Sequence, residues 1–403
     1  MILTEQKNTH MEHVEDMIFN DGVDGARMAI NSLRNMRDML AGKSDSKVNA
    51  TVKWDGAPAI FAGIDPEDGQ FFVAKKGLFN VNPKLYKTQA DIDRDLSGEL
   101  KTKFTIALKE FSKLGISKGV FQGDLLFTTG DVSITTIDGE KYYSFQPNTI
   151  VYTVPVRSSL GAQVARSKIG VVWHTTYTGS TIKDMKASFG QRIVPKLKKS
   201  PSIFMDDASY RDVSGNAKMT QDETAQVTEL LSQAGKIFNT IRGDALRAIR
   251  DNDELKQKIK TYNNTYVRRG VPFPNVQQHV SGLYRYIEEW YQKEIDKKKT
   301  PAAKQKWQKQ RDDIIKTVFA NARDLKAIFM LMNKLIEAKQ LVINKMNRAS
   351  NIGTFLRTAN GFKATTPEGF VAIDRDGNAV KLVDRLEFSR ANFSPEFLKG
   401  WQK

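Results

Sequence analysis

The chain has 403 residues, enough for two or three domains, and its 62 Lys+Arg against 46 Asp+Glu give a net charge of +16, which points to a polyanionic partner. It holds no cysteine, which excludes a disulfide framework, thiolate-ligated zinc and thiol catalysis. No apolar run approaches the roughly 18 residues of a membrane span, and the start, MILTEQKNTH, lacks the basic and apolar regions of a signal peptide; a cytoplasmic protein with no membrane partner is expected.

Residues 11–40 carry Val14, Met17, Ile18 and then Met28, Ala29, Leu33, Met36 and Leu40 at helical spacing, and NDGVDG predicts a break between two helices near Gly22 to Gly25. From about 48 to 212 the pattern changes to short β-branched and aromatic runs: ATVKWDG, AIFAGID, QFFVAKKG, KGVFQGDLLF, NTIVYTVPV and KIGVVWHTTYTG. One helix is expected near 91–114. From about 215 to 350 the spacing is helical, with a break at RRGVPFPN, and this stretch holds 26 Lys+Arg against 15 Asp+Glu. Most of the basic excess therefore lies there, on either a nucleic-acid clamp or an ordinary solvated bundle. Strand signals return in EGFVAID, a turn at RDGN and then AVKLVDRLEF. The order predicts an α+β protein with largely antiparallel sheets in four segments: an N-terminal helical segment (1–48), a sheet domain in two parts (49–214 and 351–403), and a basic all-α insertion (215–350) between them. His10 and His13 lie one helical turn apart, with nothing nearby to complete a metal site.

In TVKWDGAPAIFAG, Lys53 lies in the middle of an apolar strand-like run, two residues before Asp55-Gly56. By itself Lys-x-Asp-Gly arises by chance in roughly one chain in ten of this size. Further along the chain come, in order, AKKG with Lys76, QGDL with Asp124, VVWHT with Trp173 and His174, EGFV with Glu368, and VKLV with Lys381. Ordered this way, the pieces resemble the covalent nucleotidyltransferase superfamily of ATP-dependent polynucleotide ligases and mRNA-capping enzymes, and within it bacteriophage RNA ligases. KWDG and EGFV are close matches to the family's motifs and the other four are approximate. Asp124 stands where the family has Glu, His174 where it has Asp, and Val383 where it has a second lysine. Arg385 is a substitute for that lysine if strand alternation brings it round.

The resemblance implies a ligase-type nucleotidyltransferase fold with ATP-grasp-like antiparallel sheets. No C-terminal oligonucleotide-binding barrel is expected, because only about twenty residues follow Lys381. It also implies a mechanism. Lys53 would attack the α-phosphate of ATP to form lysyl-AMP. A free lysine has a pKa of about 10.4, so burial, Lys76, Lys381 and Mg²⁺ (or Mn²⁺) are expected to lower it. Asp55 and Gly56 would shape the turn and hold the ribose side, and Lys76 and Lys381 would neutralise the triphosphate. Asp124 and Glu368 would offer oxygens to the metal or the ribose, and Trp173, with Tyr152 as competitor, would stack on the base. The expected function is ATP-dependent joining of 5′-phosphate to 3′-hydroxyl ends of nucleic acid, RNA ahead of DNA, in the cytoplasm (the host's, for a phage protein). The alternatives are a capping-like enzyme using GTP or another acceptor, and a catalytically inactive basic nucleic-acid-binding protein on the same fold.

Overall fold

The computed structural model describes residues 11–43, 48–137, 139–210, 217–349, 353–358, 361–374 and 376–400. Helix α1 (Met17–Leu40) precedes β1 (Val48–Lys53), β2 (Ala59–Ile64) and β3 (Phe71–Ala74). Helices α2 (Gln89–Asp95) and α3 (Gly98–Phe111) lead into β4 (Val120–Thr128), β5 (Ser133–Ile137), β6 (Glu140–Phe145) and β7 (Ile150–Pro155). Then come α4 (Ser159–Arg166), β8 (Ile169–Thr178), β9 (Lys186–Phe189) and β10 (Ile203–Asp207). The helical stretch is α5 (Gln221–Phe238), α6 (Gly243–Arg250), α7 (Asp253–Arg269), α8 (Val276–Asp296), α9 (Pro301–Ala320) and α10 (Ala322–Met346). The chain closes with β11 (Gly353–Thr358), β12 (Gly361–Ala364), β13 (Gly369–Asp374), β14 (Ala379–Leu382) and α11 (Arg390–Phe393).

The protein is thus mixed α+β, with three sheets among the described residues. A small sheet runs β1-β13-β14, a second runs β10-β8-β4-β2-β3 with β9 also on β8, and a third runs β12-β11-β7-β6-β5. The strands are antiparallel except where β10 joins β8. The local signals that set the helices are ordinary ones. Gly22, with φ 58°, breaks the N-terminal helix where the sequence predicts. Thr88 with Asp91 and Thr220 with Glu223 form reciprocal caps that start α2 and α5. Gly270 ends α7 in the left-handed conformation, within the predicted break.

Three elements differ from expectation. The helix expected near 91–114 is two helices, parted at Leu96–Ser97 by extended backbone before Gly98, with φ 57°. The β5–β6 hairpin lies in a stretch outside the strand runs that the sequence pattern marks. The run expected to continue as strand after Leu382 instead becomes a helical turn, Arg385–Ser389, because the Asp384 carboxylate accepts from the Leu386 and Glu387 amides.

The helical stretch is not a body apart. Its apolar faces share one core with α1 and with the inner face of the small sheet, through Ala50, Phe370, Ala372, Val380 and Leu382. Inside this core Lys339 Nζ donates to Glu15 Oε1 at 2.8 Å, both side chains buried. A second core lies between the six-stranded sheet and α2–α3, and a third between that sheet and the five-stranded one. Two seams fix the small sheet in place. Val52 N–H donates to Ala208 O at 2.7 Å on one edge, and Lys381 N–H donates to Glu12 O at 2.9 Å on the other. The candidate site lies where these sheets meet.

Candidate active site

Lys53 is the last residue of β1 and stands opposite Gly369, the first of β13. The antiparallel register therefore brings Glu368 to the Lys53 ammonium, and the two form an ion pair with side chains only 25% and 12% exposed. Gly369 has φ 150°, and a Cβ there would stand 2.4 Å from Leu382 O, so the strand entrance requires glycine. Lys381 pairs with Val371, which in turn pairs with Thr51. Alternation along the strands then places Lys381 on the same face as Lys53, away from the helical core that Phe370, Val380 and Leu382 enter.

The second wall comes from the six-stranded sheet. Gln122 pairs with Thr175 and Gly123 with Trp173, so His174 is an extra residue in β8, a β-bulge. His174 Nε2 lies 3.9 Å from Asp124 Oδ2, and its Nδ1 lies 2.7 Å from Thr175 Oγ1. Lys76, exposed on the turn after β3, is near enough to act on both Asp124 and Lys381. Of the residues the sequence puts forward, Lys53, Lys76, Asp124, Glu368 and Lys381 thus gather in one place.

Others have different tasks. Trp173 is fully buried on the opposite face of β8, packed on Phe111 and Phe121 with ring centroids 5.3 and 6.4 Å away. It is a core residue and not a stacking platform, because the bulge turns His174 rather than Trp173 toward the site. Tyr152 is also buried, and its hydroxyl accepts from the Asp55 amide at 2.7 Å. Asp55 is turned inward. Its carboxylate is buried and accepts from Asn148 Nδ2 at 2.6 Å and from the Thr149 and Ile150 amides at 2.6 and 2.7 Å, which anchors the loop after Lys53. Gly56 lets that loop lie directly on Asp124. Arg385 does not replace the missing lysine at Val383: it is held by Asp16 at 3.1 Å and Glu15 at 3.7 Å. Val383 is buried in the third core.

The field in the site corrects one expectation. Burial opposes the charge on Lys53, but the carboxylates of Glu368, Asp124 and Asp55 outweigh it and hold its pKa above the ordinary lysine value. Glu368 is pushed up to about 7, by burial first and by Asp55 and Asp124 in addition, against the pull of Lys53. Burial raises Asp124 despite His174, Lys53 and Lys76. Burial lowers His174, with Lys53 adding to the effect and Asp124 opposing it. Between Lys53 and Lys381 it is Lys381 whose pKa falls, through burial and the nearby charges of Lys53 and Lys76. The pair thus favours the proton on Lys53 over the free amine.

Sequence reasoning misses two supports. His13 belongs to no motif, yet it is half-buried beside Lys381 in a short parallel bridge, and its buried Nδ1 has no partner among the described residues. The 148–150 turn and Lys399, whose Nζ donates to Thr149 Oγ1 at 3.1 Å, hold Asp55; nothing in either stretch resembles a motif.

Among the described residues no group of three His, Cys, Asp or Glu could hold a metal ion, and no helix is long and apolar enough to cross a membrane. A family of unknown function, DUF6267, matches residues 8–396, and the chain belongs to that family. No curated protein and no solved structure matches the chain.

Proposed function

We propose that the protein is an ATP-dependent nucleotidyltransferase of the ligase type, with Lys53 as nucleophile and nucleic-acid ends, RNA ahead of DNA, as acceptors. The observation that carries this reading is the convergence of Lys53, Glu368, Asp124, Lys76 and Lys381. They come from separate stretches of the chain, yet they share one electrostatic field around a half-buried ion pair.

The chemistry follows from that pair. Glu368 takes the Lys53 proton, for which its raised affinity suits it. The freed Nζ lone pair forms a P–N bond to the α-phosphorus as the bond to the bridging oxygen breaks, and pyrophosphate leaves with that electron pair. Lys76 and Lys381 offset the charge on the departing oxygens. A 5′-phosphate oxygen of the acceptor then attacks the lysyl-AMP phosphorus, the P–N bond breaks, and Lys53 is protonated again. Finally a 3′-hydroxyl attacks the activated 5′-phosphate, loses its proton and releases AMP. A divalent cation in this site would supply charge neutralisation for the triphosphate. Asp124, whose carboxylate accepts no hydrogen bond among the described residues, fits that role better than Glu368, which Lys53 occupies.

The test is incubation with α-labelled ATP or GTP and Mg²⁺ or Mn²⁺, followed by a denaturing gel. Covalent label is expected on the wild type and not on Lys53→Ala, with Glu368→Gln labelled more slowly. Label with GTP alone would move the reading to the capping-like enzyme. No label with any nucleotide and metal would overturn it in favour of a binding protein.

A further inference from the structure

The Asp124–His174 pair is built with more care than charge neutralisation needs. The bulge in β8 inserts His174 as an extra residue, which turns its ring onto the face that carries Asp124. The partner strand accommodates this only with glycine. A Cβ on Gly123 would stand 2.6 Å from Val172 O and 2.9 Å from the Trp173 ring. The resulting arrangement is incomplete by itself. His174 Nε2 and Asp124 Oδ2 face each other at 3.9 Å, too far for a hydrogen bond. Asp124 has no hydrogen-bond donor among the described residues, while the other nitrogen of His174 is fixed by Thr175 Oγ1 at 2.7 Å. A hydrogen bond of that kind, on the far nitrogen, is how metal-bound imidazoles are oriented. The gap is also shorter than two metal–ligand bonds of about 2.0–2.2 Å laid end to end.

We propose that Asp124 and His174 form a two-residue site for a divalent cation that accepts nitrogen as well as oxygen, Mn²⁺ in preference to Mg²⁺, beside Lys53. Two protein ligands suffice where water and phosphate oxygens complete the shell, as in phosphoryl-transfer sites. Mg²⁺ prefers oxygen, whereas an imidazole ligand favours the first-row transition ions. Glu368 is not a ligand here, because it belongs to Lys53. The catalytic meaning of the site rests on the nucleotidyltransferase reading; its binding of the ion does not.

With four histidines in the chain, the imidazole NMR signals of ¹³C-histidine-labelled protein make the test direct. Substoichiometric Mn²⁺, added to the nucleotide-free protein, is expected to broaden one signal selectively. That signal should vanish in His174→Asn, and the selective broadening should be lost in Asp124→Asn. A tenfold excess of Mg²⁺ should not restore it. Broadening of no signal, of all four alike, or of His174 undiminished in Asp124→Asn would overturn the site. Melting curves of both variants, and the positions of the remaining histidine signals, establish that they are folded. A second arm reads covalent labelling. His174→Asp, which replaces nitrogen with oxygen, is expected to shift the Mn²⁺-to-Mg²⁺ rate ratio toward Mg²⁺ by roughly tenfold or more. Labelling without selective broadening overturns the metal site and leaves the enzyme standing. Selective broadening without labelling by any nucleotide overturns the enzyme and leaves the site.

Discussion

Gly56 lies directly on Asp124: a Cβ added to Gly56 would stand 2.4 Å from the Asp124 Cβ and 3.0 Å from Leu125 O. The loop that follows Lys53 is thus pressed onto the strand that carries the opposite wall of the site. Backbone and a short, strand-fixed side chain cannot give way as the end of a flexible side chain can. Gly56→Ala is therefore expected to push the loop off Asp124, lower stability by about 1–3 kcal/mol and abolish covalent labelling. Thermal melting and the labelling gel check this together. Wild-type labelling in a normally stable Gly56→Ala protein would show that the close approach is dispensable.

Trp173 provides the converse case. Its ring is buried between Phe111 and Phe121, and its Nε1 has no partner among the described residues. Trp173→Phe keeps an aromatic ring in that core and removes the buried N–H. The expected result is a stability loss of about 1–3 kcal/mol from the lost volume, with the ATP concentration for half-maximal labelling unchanged. A severalfold rise in that concentration at unchanged stability would return Trp173 to the nucleotide site.

His279 sets a pH dependence remote from the site. It is fully buried, ringed by Tyr262, Phe273 and Phe329 at 4.7, 4.5 and 4.5 Å. Its Nε2 donates to Asn263 Oδ1 at 2.9 Å, and its Nδ1 has no partner among the described residues. Burial lowers its pKa to about 4, against about 6.5 in an unfolded chain. Above pH 6.5 the ring is neutral in both states and contributes no slope. As pH falls from 6.5 to about 4, the unfolded chain takes up a proton that the folded one refuses, so stability is lost, by roughly 3 kcal/mol over the window. Below about 4 both states are protonated and the loss stops. Urea unfolding of wild type and His279→Phe between pH 4 and 7 checks this: the variant should lack that share of the slope, and equal slopes would refute the assignment.

How much of this is legible in the sequence depends on what each signal encodes. The order of segments, the strands bearing Lys53 and Asp124, and the strand that Glu368 precedes are readable from β-branched runs and their bounding turns. The partner of Lys53 is not. Charge reasoning surrounds it with cations, whereas the register of β1 on β13 gives it Glu368. The VVWHT stretch, apolar at nearly every position, has no polar alternation to say which face is wet, so its sequence points to Trp173 rather than His174 for the site. A bulge that shifts strand phase leaves little mark in one sequence. Arg385 fails for a related reason: alternation holds only while the strand lasts, and Asp384 ends it. The β5–β6 hairpin does carry a signal in the sequence, an Asp-Gly dipeptide between two alternating runs.

Asp55 is held from the far end of the chain. Lys399 Nζ donates to Thr149 Oγ1 at 3.1 Å and to Ala391 O at 2.7 Å, and Gly400 N–H donates to Asn148 O at 2.8 Å. Gln146 Nε2 donates to Leu398 O at 2.7 Å. These bonds clamp the turn whose Asn148 side chain and Thr149 and Ile150 amides grip the Asp55 carboxylate, and Asp55 in turn sets the loop beyond Lys53. Lys399 is on this view a positioning residue. Lys399→Met is expected to cost about 1–3 kcal/mol through the acceptors left behind. It should also slow covalent labelling at saturating ATP by up to about 100-fold while leaving the half-saturating ATP concentration in place. If the path runs through Asp55, then Asp55→Asn and Lys399→Met together should slow labelling by less than the product of their separate effects. Strict multiplication would mean that the tail acts on the site by another route.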